Sequence, residues 1–178
     1  MAWTTALTAV ANTMLTAGQW NASVRDDLLE TTPGVAALSR RIFVTAGTNK
    51  IAERDIKDSI INNREDTAST SYTDLASFGP EVSMVTGFSA LVWIRCLCNN
   101  SAGGSSRMSY AVSGATTVAA ANNKARQAEG GAGAWSDACS VTNLESALEP
   151  GANIFTAKYD VTSGTGTFDR RRVVVMGL

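Results

Sequence analysis

The stretch that decides the fold is Gly164-Thr-Gly-Thr-Phe-Asp-Arg-Arg-Arg-Val-Val-Val-Met-Gly-Leu178. A Gly/Thr turn leads into three arginines and then into a run of β-branched residues, which favour strands because they pack well on a pleated surface. Terminal segments tend to fray and to be polar. A final segment this apolar therefore predicts a last strand that is built into a sheet or an interface.

The chain from residue 67 onward repeats a pattern of short strands separated by turns. Residues 88–98 are almost continuously apolar, which predicts a central strand covered on both faces. In residues 107–113 and 153–161 apolar side chains alternate instead, which predicts strands with one buried face. These patterns together predict an all-β jelly-roll or β-sandwich domain over residues 67–178. The residues expected to share the buried faces are Met108, Tyr110, Val112, Phe155, Ala157, Tyr159 and Val161.

Residues 1–33 carry a helical pattern. Thr16 and Gln19 have the spacing of a capping box, and apolar residues then follow at helical intervals on one face. Pro33 ends this pattern because it disfavours helical geometry at the preceding residue. The segment has too little apolar material for a domain of its own, so we predict a helical or irregular arm that anchors the chain to a partner. The predicted anchoring residues are Trp3, Leu15, Trp20, Val24 and Leu28.

Residues 34–66 are predicted to form a connector between the arm and the sandwich. Residues 40–44 have the composition of a short strand. In residues 52–61 the i, i+4 spacing of Ile56 and Ile60 favours a short helix.

The inventory of reactive side chains is small. The chain contains no histidine, which removes the usual general base, the usual zinc ligand and every His-dependent triad. Cys96 and Cys98 would lie on one face of a strand with Cα atoms about 6.5–7 Å apart, at or beyond the long edge of disulfide geometry. The chain offers no further ligands for a metal, so we interpret these cysteines and Cys139 as small buried hydrophobic residues.

Pairs of acidic residues are the remaining candidates for catalysis. Glu145 with Glu149 and Asp137 with Asp160 have no recognisable motif around them. We therefore expect no enzymatic activity and no catalytic, cofactor or metal site.

Charge and hydropathy restrict the kinds of partner that the chain is expected to bind. With 15 basic and 16 acidic residues the net charge is −1. A nucleic-acid-binding protein usually carries an excess of positive charge, so we do not expect this chain to bind nucleic acid. No apolar run reaches the length needed to cross a membrane, and the first residues lack the basic region of a secretory signal. Only 17% of the residues are charged, so exposed apolar surface would favour self-association.

Two parts of the chain resemble tailed-bacteriophage virion proteins. Leu15-Thr-Ala-Gly-Gln-Trp-Asn-Ala-Ser-Val-Arg-Asp-Asp-Leu-Leu29 is similar to a segment common near the start of such proteins, with Asp27 in place of the usual Asn. Residues 70–178 resemble the small jelly-roll domains of phage head fibres and tail fibres. The matching stretches are Tyr72-Thr-Asp-Leu75, Gly79-Pro80, Met108-Ser-Tyr-Ala-Val-Ser-Gly114, Phe155-Thr-Ala-Lys-Tyr159 and the segment from Gly164 to Leu178.

The resemblance implies a homotrimer of jelly rolls around a three-fold axis. The implied function is a capsid decoration or head-fibre protein whose residues 1–66 bind the major capsid protein or another virion component. Such a protein is assembled in the host cytoplasm and lies on the surface of the particle. The alternative is a tail-fibre or receptor-binding protein that contacts host cell-surface glycans through loops 99–106 and 120–134. Outside those loops, Tyr110 and Trp135 are aromatic candidates for stacking on a sugar, but they lie at core-like positions of alternating strands.

The arginine triplet has two interpretations within that resemblance. In a regular strand Arg170 and Arg172 share one face and Arg171 takes the other. The triplet either pairs with carboxylates of a neighbouring copy or protects an exposed sheet edge against aggregation. With the implied trimer, the expected interface residues are Arg170, Arg171, Arg172 and Leu178.

Overall fold

A computed structural model describes residues 14, 16–20, 41–47, 50–129 and 141–178 of the chain. The chain divides into two compact units, Met1–Arg54 and Asp55–Leu178.

The first unit contains a helical turn and a β-hairpin. Helix α1 covers Ala17–Trp20 and is held by the predicted capping box: the Gln19 backbone N–H donates to Thr16 Oγ1 at 3.2 Å, and the Thr16 N–H donates to Gln19 Oε1 at 3.0 Å. Strands β1, Ile42–Gly47, and β2, Lys50–Arg54, pair antiparallel. Strand β1 lies where a short strand was predicted.

The second unit is built from nine strands among the described residues. They are β3 Ile56–Ile61, β4 Glu65–Thr67, β5 Glu81–Thr86, β6 Ala90–Asn100, β7 Ser105–Gly114, β8 Arg126–Glu129, β9 Val141–Glu145, β10 Gly151–Val161 and β11 Gly166–Gly177. A 3₁₀ turn, Asn122–Lys124, precedes β8.

These strands form two packed sheets with jelly-roll topology. Sheet I has the order β3-β11-β6-β9, with β4 also paired to β11, and sheet II has the order β5-β10-β7-β8. Leaving out the short β4, the first strand pairs with the last in sheet I, and the second pairs with the second-to-last in sheet II. This nested antiparallel pairing is that of a jelly roll, so the predicted all-β fold class is confirmed.

The core lies between the two sheets. Strands β7 and β10 turn the predicted alternate side chains inward, and Tyr110, Phe155 and Tyr159 are fully buried. Sheet I contributes mostly aliphatic residues, among them Val92 and Val173. Each buried side chain of this size contributes about 1.5–3 kcal/mol of transfer free energy, so the two sheets hold each other in place.

The connector differs from its prediction. Residues 52–61 form no helix: they belong to β2 and β3, and β3 pairs with residues Arg171 to Met176 of β11. The i, i+4 spacing of Ile56 and Ile60 also fits a strand, because residues four apart lie on one face in both structures. The second unit therefore begins at Asp55, twelve residues before the predicted start at 67.

Candidate interaction face

The arginine triplet lies at a β-bulge in β11. The pairing between β11 and β6 shifts register between Asp169 and Arg172, so β11 carries one residue more than its partner over this stretch. Arg170 takes the left-handed conformation, with φ 49°. The extra residue reverses the alternation along the strand. As a result, Arg171 points into the sandwich on the same side as Val173.

Arg171 is completely buried within a single chain. Its Nη1 lies 3.1 Å from Glu65 Oε2, its Nη2 donates to the Asn63 carbonyl at 3.3 Å, and its guanidinium carbon lies 5.5 Å from the centre of the Tyr159 ring. A side chain enclosed in this way cannot contact a neighbouring copy. The prediction that Arg171 lies at a trimer interface is therefore wrong, because the bulge turned it inward.

Glu65 completes this internal ion pair. The Ser77 N–H donates to both carboxylate oxygens at 3.0 Å, and the Ser77 hydroxyl donates to Oε1. Burial alone would raise the pKa of Glu65, but the hydrogen bonds from Ser77 and the charge of Arg171 outweigh it and hold the pKa below its usual value. The pair fastens β4 to β11.

The other three predicted interface residues remain accessible. Arg170 is 67% exposed, and Arg172 is half-exposed and pairs with Asp58 of β3 at 2.8 Å. The Leu178 N–H donates to the Ser89 carbonyl at 2.9 Å, which fixes the end of the chain beside the turn into β6. These residues border the outer face of sheet I.

The outer face of sheet I carries an apolar row that crosses strands β3, β11, β6 and β9. The register places Met176 of β11 between Ile56 of β3 and Leu91 of β6, and places Leu91 opposite Leu144 of β9. Ile56 is 47% exposed and Leu144 is 59% exposed. Directly opposite side chains contact one another across strands, so these four residues form one continuous surface.

The next row continues that surface. Val174 and Trp93 are paired in register and lie beside the apolar row, and both are half-buried. We call the six residues Ile56, Leu91, Trp93, Leu144, Val174 and Met176 the apolar face. Contiguous exposed apolar patches of this kind often mark an interaction site.

Positive charge borders the apolar face on one side. In the third row Arg172 lies opposite Arg95, which is exposed, and Ile60 of β3 lies on the other side of Arg172 and is 51% exposed. The surface thus combines an apolar centre with a charged edge, the composition of a protein–protein interface.

The predicted anchoring set is only partly within the described residues. Trp20 ends α1 and is 55% exposed. The other members, Trp3, Leu15, Val24 and Leu28, lie outside the described residues.

The aromatic residues weighed as sugar contacts do not form a site in the described part of the chain. Tyr110 is fully buried, and its hydroxyl donates to Glu145 at 2.6 Å, which confirms its interpretation as a core residue. Burial and this bond raise the pKa of Tyr110. Asp160 is engaged by Arg107 at 2.9 Å. Trp135 and Asp137 lie outside the described residues.

The apolar face was not predicted from the sequence as a site, but one signal pointed to it. The almost continuous apolar character of residues 88–98 predicted a strand covered on both faces. In the structure β6 buries only one of them, and Leu91 and Trp93 lie on the other. The residues of the opposite strands come from distant parts of the chain, so only the fold brings them together.

The protein is therefore an all-β jelly roll with an apolar outer face. No helix within the described residues is long and apolar enough to cross a membrane. No protein-family model matches the chain, and no curated protein matches it.

Several solved structures are similar at low identity. The VP2 subviral particle of infectious bursal disease virus is 12% identical over 77% of this chain, with a TM-score of 0.46, and the Gt strain of that virus is 10% identical over 75%, with a TM-score of 0.47. The chain spans 38% and 37% of those chains. The C-terminal CBM6 of LamC from Zobellia galactanivorans is 12% identical over 76% of this chain and 88% of its own, with a TM-score of 0.32.

Proposed function

We propose that this protein is a non-enzymatic structural component of a tailed-phage virion. In this proposal it is a capsid decoration or head-fibre protein whose N-terminal arm binds the major capsid protein or another virion component. The jelly roll projects from the particle surface as a homotrimer. Assembly takes place in the host cytoplasm.

The observation that carries the proposal is the apolar face. A monomer would leave Ile56, Leu144 and their neighbours in water. Covering this face with other copies would remove its apolar side chains from water, which favours association, and it fits the trimer implied by the resemblance to phage fibres.

Binding to the particle tests the anchoring part of the proposal. Full-length protein should co-sediment with purified shells of the same phage that lack it. A Trp20→Ala variant should bind at least several-fold more weakly, because the aromatic side chain is exposed at the end of the capped turn.

Phe78→Ala is the matched control, since Phe78 is similarly exposed, at 58%, but belongs to the sandwich. It should bind shells as the unchanged protein does. Equal binding by the Trp20 variant would contradict the anchoring role of this residue.

Phe78 also favours the alternative function, a tail-fibre protein that contacts host surface glycans. Its ring lies 5.4 Å from Lys158 Nζ, which is paired with Asp74 at 2.7 Å. An exposed ring beside fixed polar groups is a surface on which a sugar can stack. Titration of the protein with host cell-surface polysaccharide would distinguish the two functions, because only the alternative predicts saturable binding that is lost in Phe78→Ala.

A further inference from the structure

The inward face of β6 holds two cysteines in contact. Cys96 and Cys98 are both fully buried, and their sulfur atoms are 2.7 Å apart. That separation is only about 0.7 Å longer than a covalent S–S bond. The two sulfur atoms therefore lie close to bonding distance, and an oxidant is needed to join them.

A bulge in β11 lies beside one of the two cysteines. Alternate Cα atoms in a regular strand are about 6.6 Å apart, near the upper limit for a disulfide, so closing the bond requires a slight contraction of β6. On one side of β6 the ladder to β11 is interrupted at Cys96 by the bulge. The contraction thus begins at the interruption in the ladder between β6 and β11, while Cys98 itself pairs with Phe168.

The surroundings determine when the thiols can react. Burial and the contact with Cys98 raise the pKa of Cys96 well above its usual value, and the charges of Arg126 and Arg171 only partly oppose this. The thiolate is the reactive form, and both side chains are fully buried, so the fold shields the pair from external reagents. Reaction is fastest while the chain folds, before the two sheets close.

We propose that Cys96 and Cys98 form an intrastrand disulfide when the chain folds in the presence of a small-molecule disulfide such as oxidised glutathione. One cysteine thiolate attacks a glutathione sulfur and releases one glutathione thiolate. The second cysteine, after losing its proton, attacks the cysteine sulfur of that mixed disulfide and releases the second glutathione thiolate. Both cysteines are oxidised, one glutathione disulfide is reduced to two thiols, and the two protons pass to those thiols. This inference is independent of the proposed function.

The sequence offers a clean readout in the unmodified full-length protein. Cleavage by trypsin after Arg95 and Arg107 yields a peptide, residues 96–107, that contains both cysteines and excludes Cys139. The protein is refolded with oxidised glutathione, its free thiols are blocked with an alkylating reagent, and the digest is analysed by mass spectrometry. We expect more than half of this peptide without alkyl groups and lighter by two hydrogen atoms than the reduced form.

Reduction before alkylation should convert the same peptide to the doubly alkylated form. Four results would each overturn the proposal: two alkylated cysteines without reduction, a peptide that retains glutathione, a cross-link to the peptide containing Cys139, or a disulfide-linked dimer of chains. Cys139→Ser is the matched control and should still give the cyclic peptide.

Discussion

The two outer faces of the jelly roll present different kinds of side chain to the solvent. On sheet II the chain neutralises its own surface: Arg107 pairs with Asp160, Lys158 pairs with Asp74, and Thr156 donates a hydrogen bond to Glu81. On sheet I the corresponding positions hold the apolar face and partly exposed arginines. Both sheets share one core, so the difference lies entirely in what each presents outward.

This difference indicates which surface is built for a partner. Polar side chains that are already paired with one another gain little free energy from a new contact, because they would have to be desolvated first. Apolar side chains in water are stabilised by almost any contact that removes them from water. Sheet I is therefore the face that we expect other copies to cover, and sheet II is the face that stays in solvent or meets small polar ligands.

The largest effect should come from breaking the buried ion pair of sheet II. Asp160 is 2% exposed, and Asp160→Ala leaves Arg107 without its carboxylate in a desolvated site. Removing one partner of a buried pair costs about 3–5 kcal/mol, which urea denaturation should detect as a lower free energy of unfolding.

Asp58→Ala on sheet I is the matched control. Its partner Arg172 is half-exposed, and an exposed pair contributes less than about 1 kcal/mol. Equal losses in the two variants would contradict the contrast between the faces.

A charged substitution on sheet I should instead affect association. Leu144→Lys places an ammonium group in the apolar face, and we expect self-association to weaken at least tenfold, or by about 1.4 kcal/mol. Val85→Lys makes the same change on an outer position of sheet II, where Val85 is 64% exposed, and should leave association unchanged. Sedimentation velocity on both variants checks this, and parallel behaviour of the two would be inconsistent with a role for the apolar face.

Alkaline titration tests the burial of the tyrosines on and beside sheet II. Desolvation, with the negative charge of Asp160, raises the pKa of Tyr72 to about 12, and burial raises the pKa values of Tyr110 and Tyr159 as well. These are the three tyrosines of the chain. The unfolded chain ionises near pH 10, so it loses protons more readily, and stability should fall as the pH rises from about 10 towards 12.

Ultraviolet absorbance of tyrosinate checks this directly. Folded protein should show little tyrosinate at about pH 10.5, whereas urea-unfolded protein should be more than half ionised, given an ordinary pKa near 10. A tyrosine that titrates near pH 10 in the folded protein would contradict the burial of these side chains.

The local sequence pattern predicted much of the fold, but it did not predict the arrangement of the surface residues. The alternation of apolar side chains predicted β7 and β10, because each of these strands buries one face and this shows in its own sequence. The inward position of Arg171 depends on a single extra residue at the bulge, which the triplet Arg170-Arg171-Arg172 does not signal. The helix predicted for residues 52–61 was wrong because residues 52–54 pair with β1 and residues 56–61 pair with β11, more than a hundred residues away. The apolar face likewise depends on register between four distant strands.

The smallest predicted effect concerns the bulge of sheet I. Arg170 is held in the left-handed region, φ 49°, which costs an L-residue about 1–2 kcal/mol. Glycine avoids this cost but gains about 0.5–1 kcal/mol of unfolded-state entropy. Arg170→Gly should therefore be neutral or stabilise the fold by up to about 1 kcal/mol in thermal unfolding. Arg170→Ala keeps its Cβ and should show no such gain; a clear loss of stability in the glycine variant would contradict the assigned conformation.

The most direct test of the central claim is the mass of the full-length protein in solution. Sedimentation equilibrium over a range of micromolar concentrations measures it without labels or variants. Self-association through the outer face of sheet I predicts a species of three times the 18.6 kDa chain mass. A single species of 18.6 kDa at every concentration would contradict the claim.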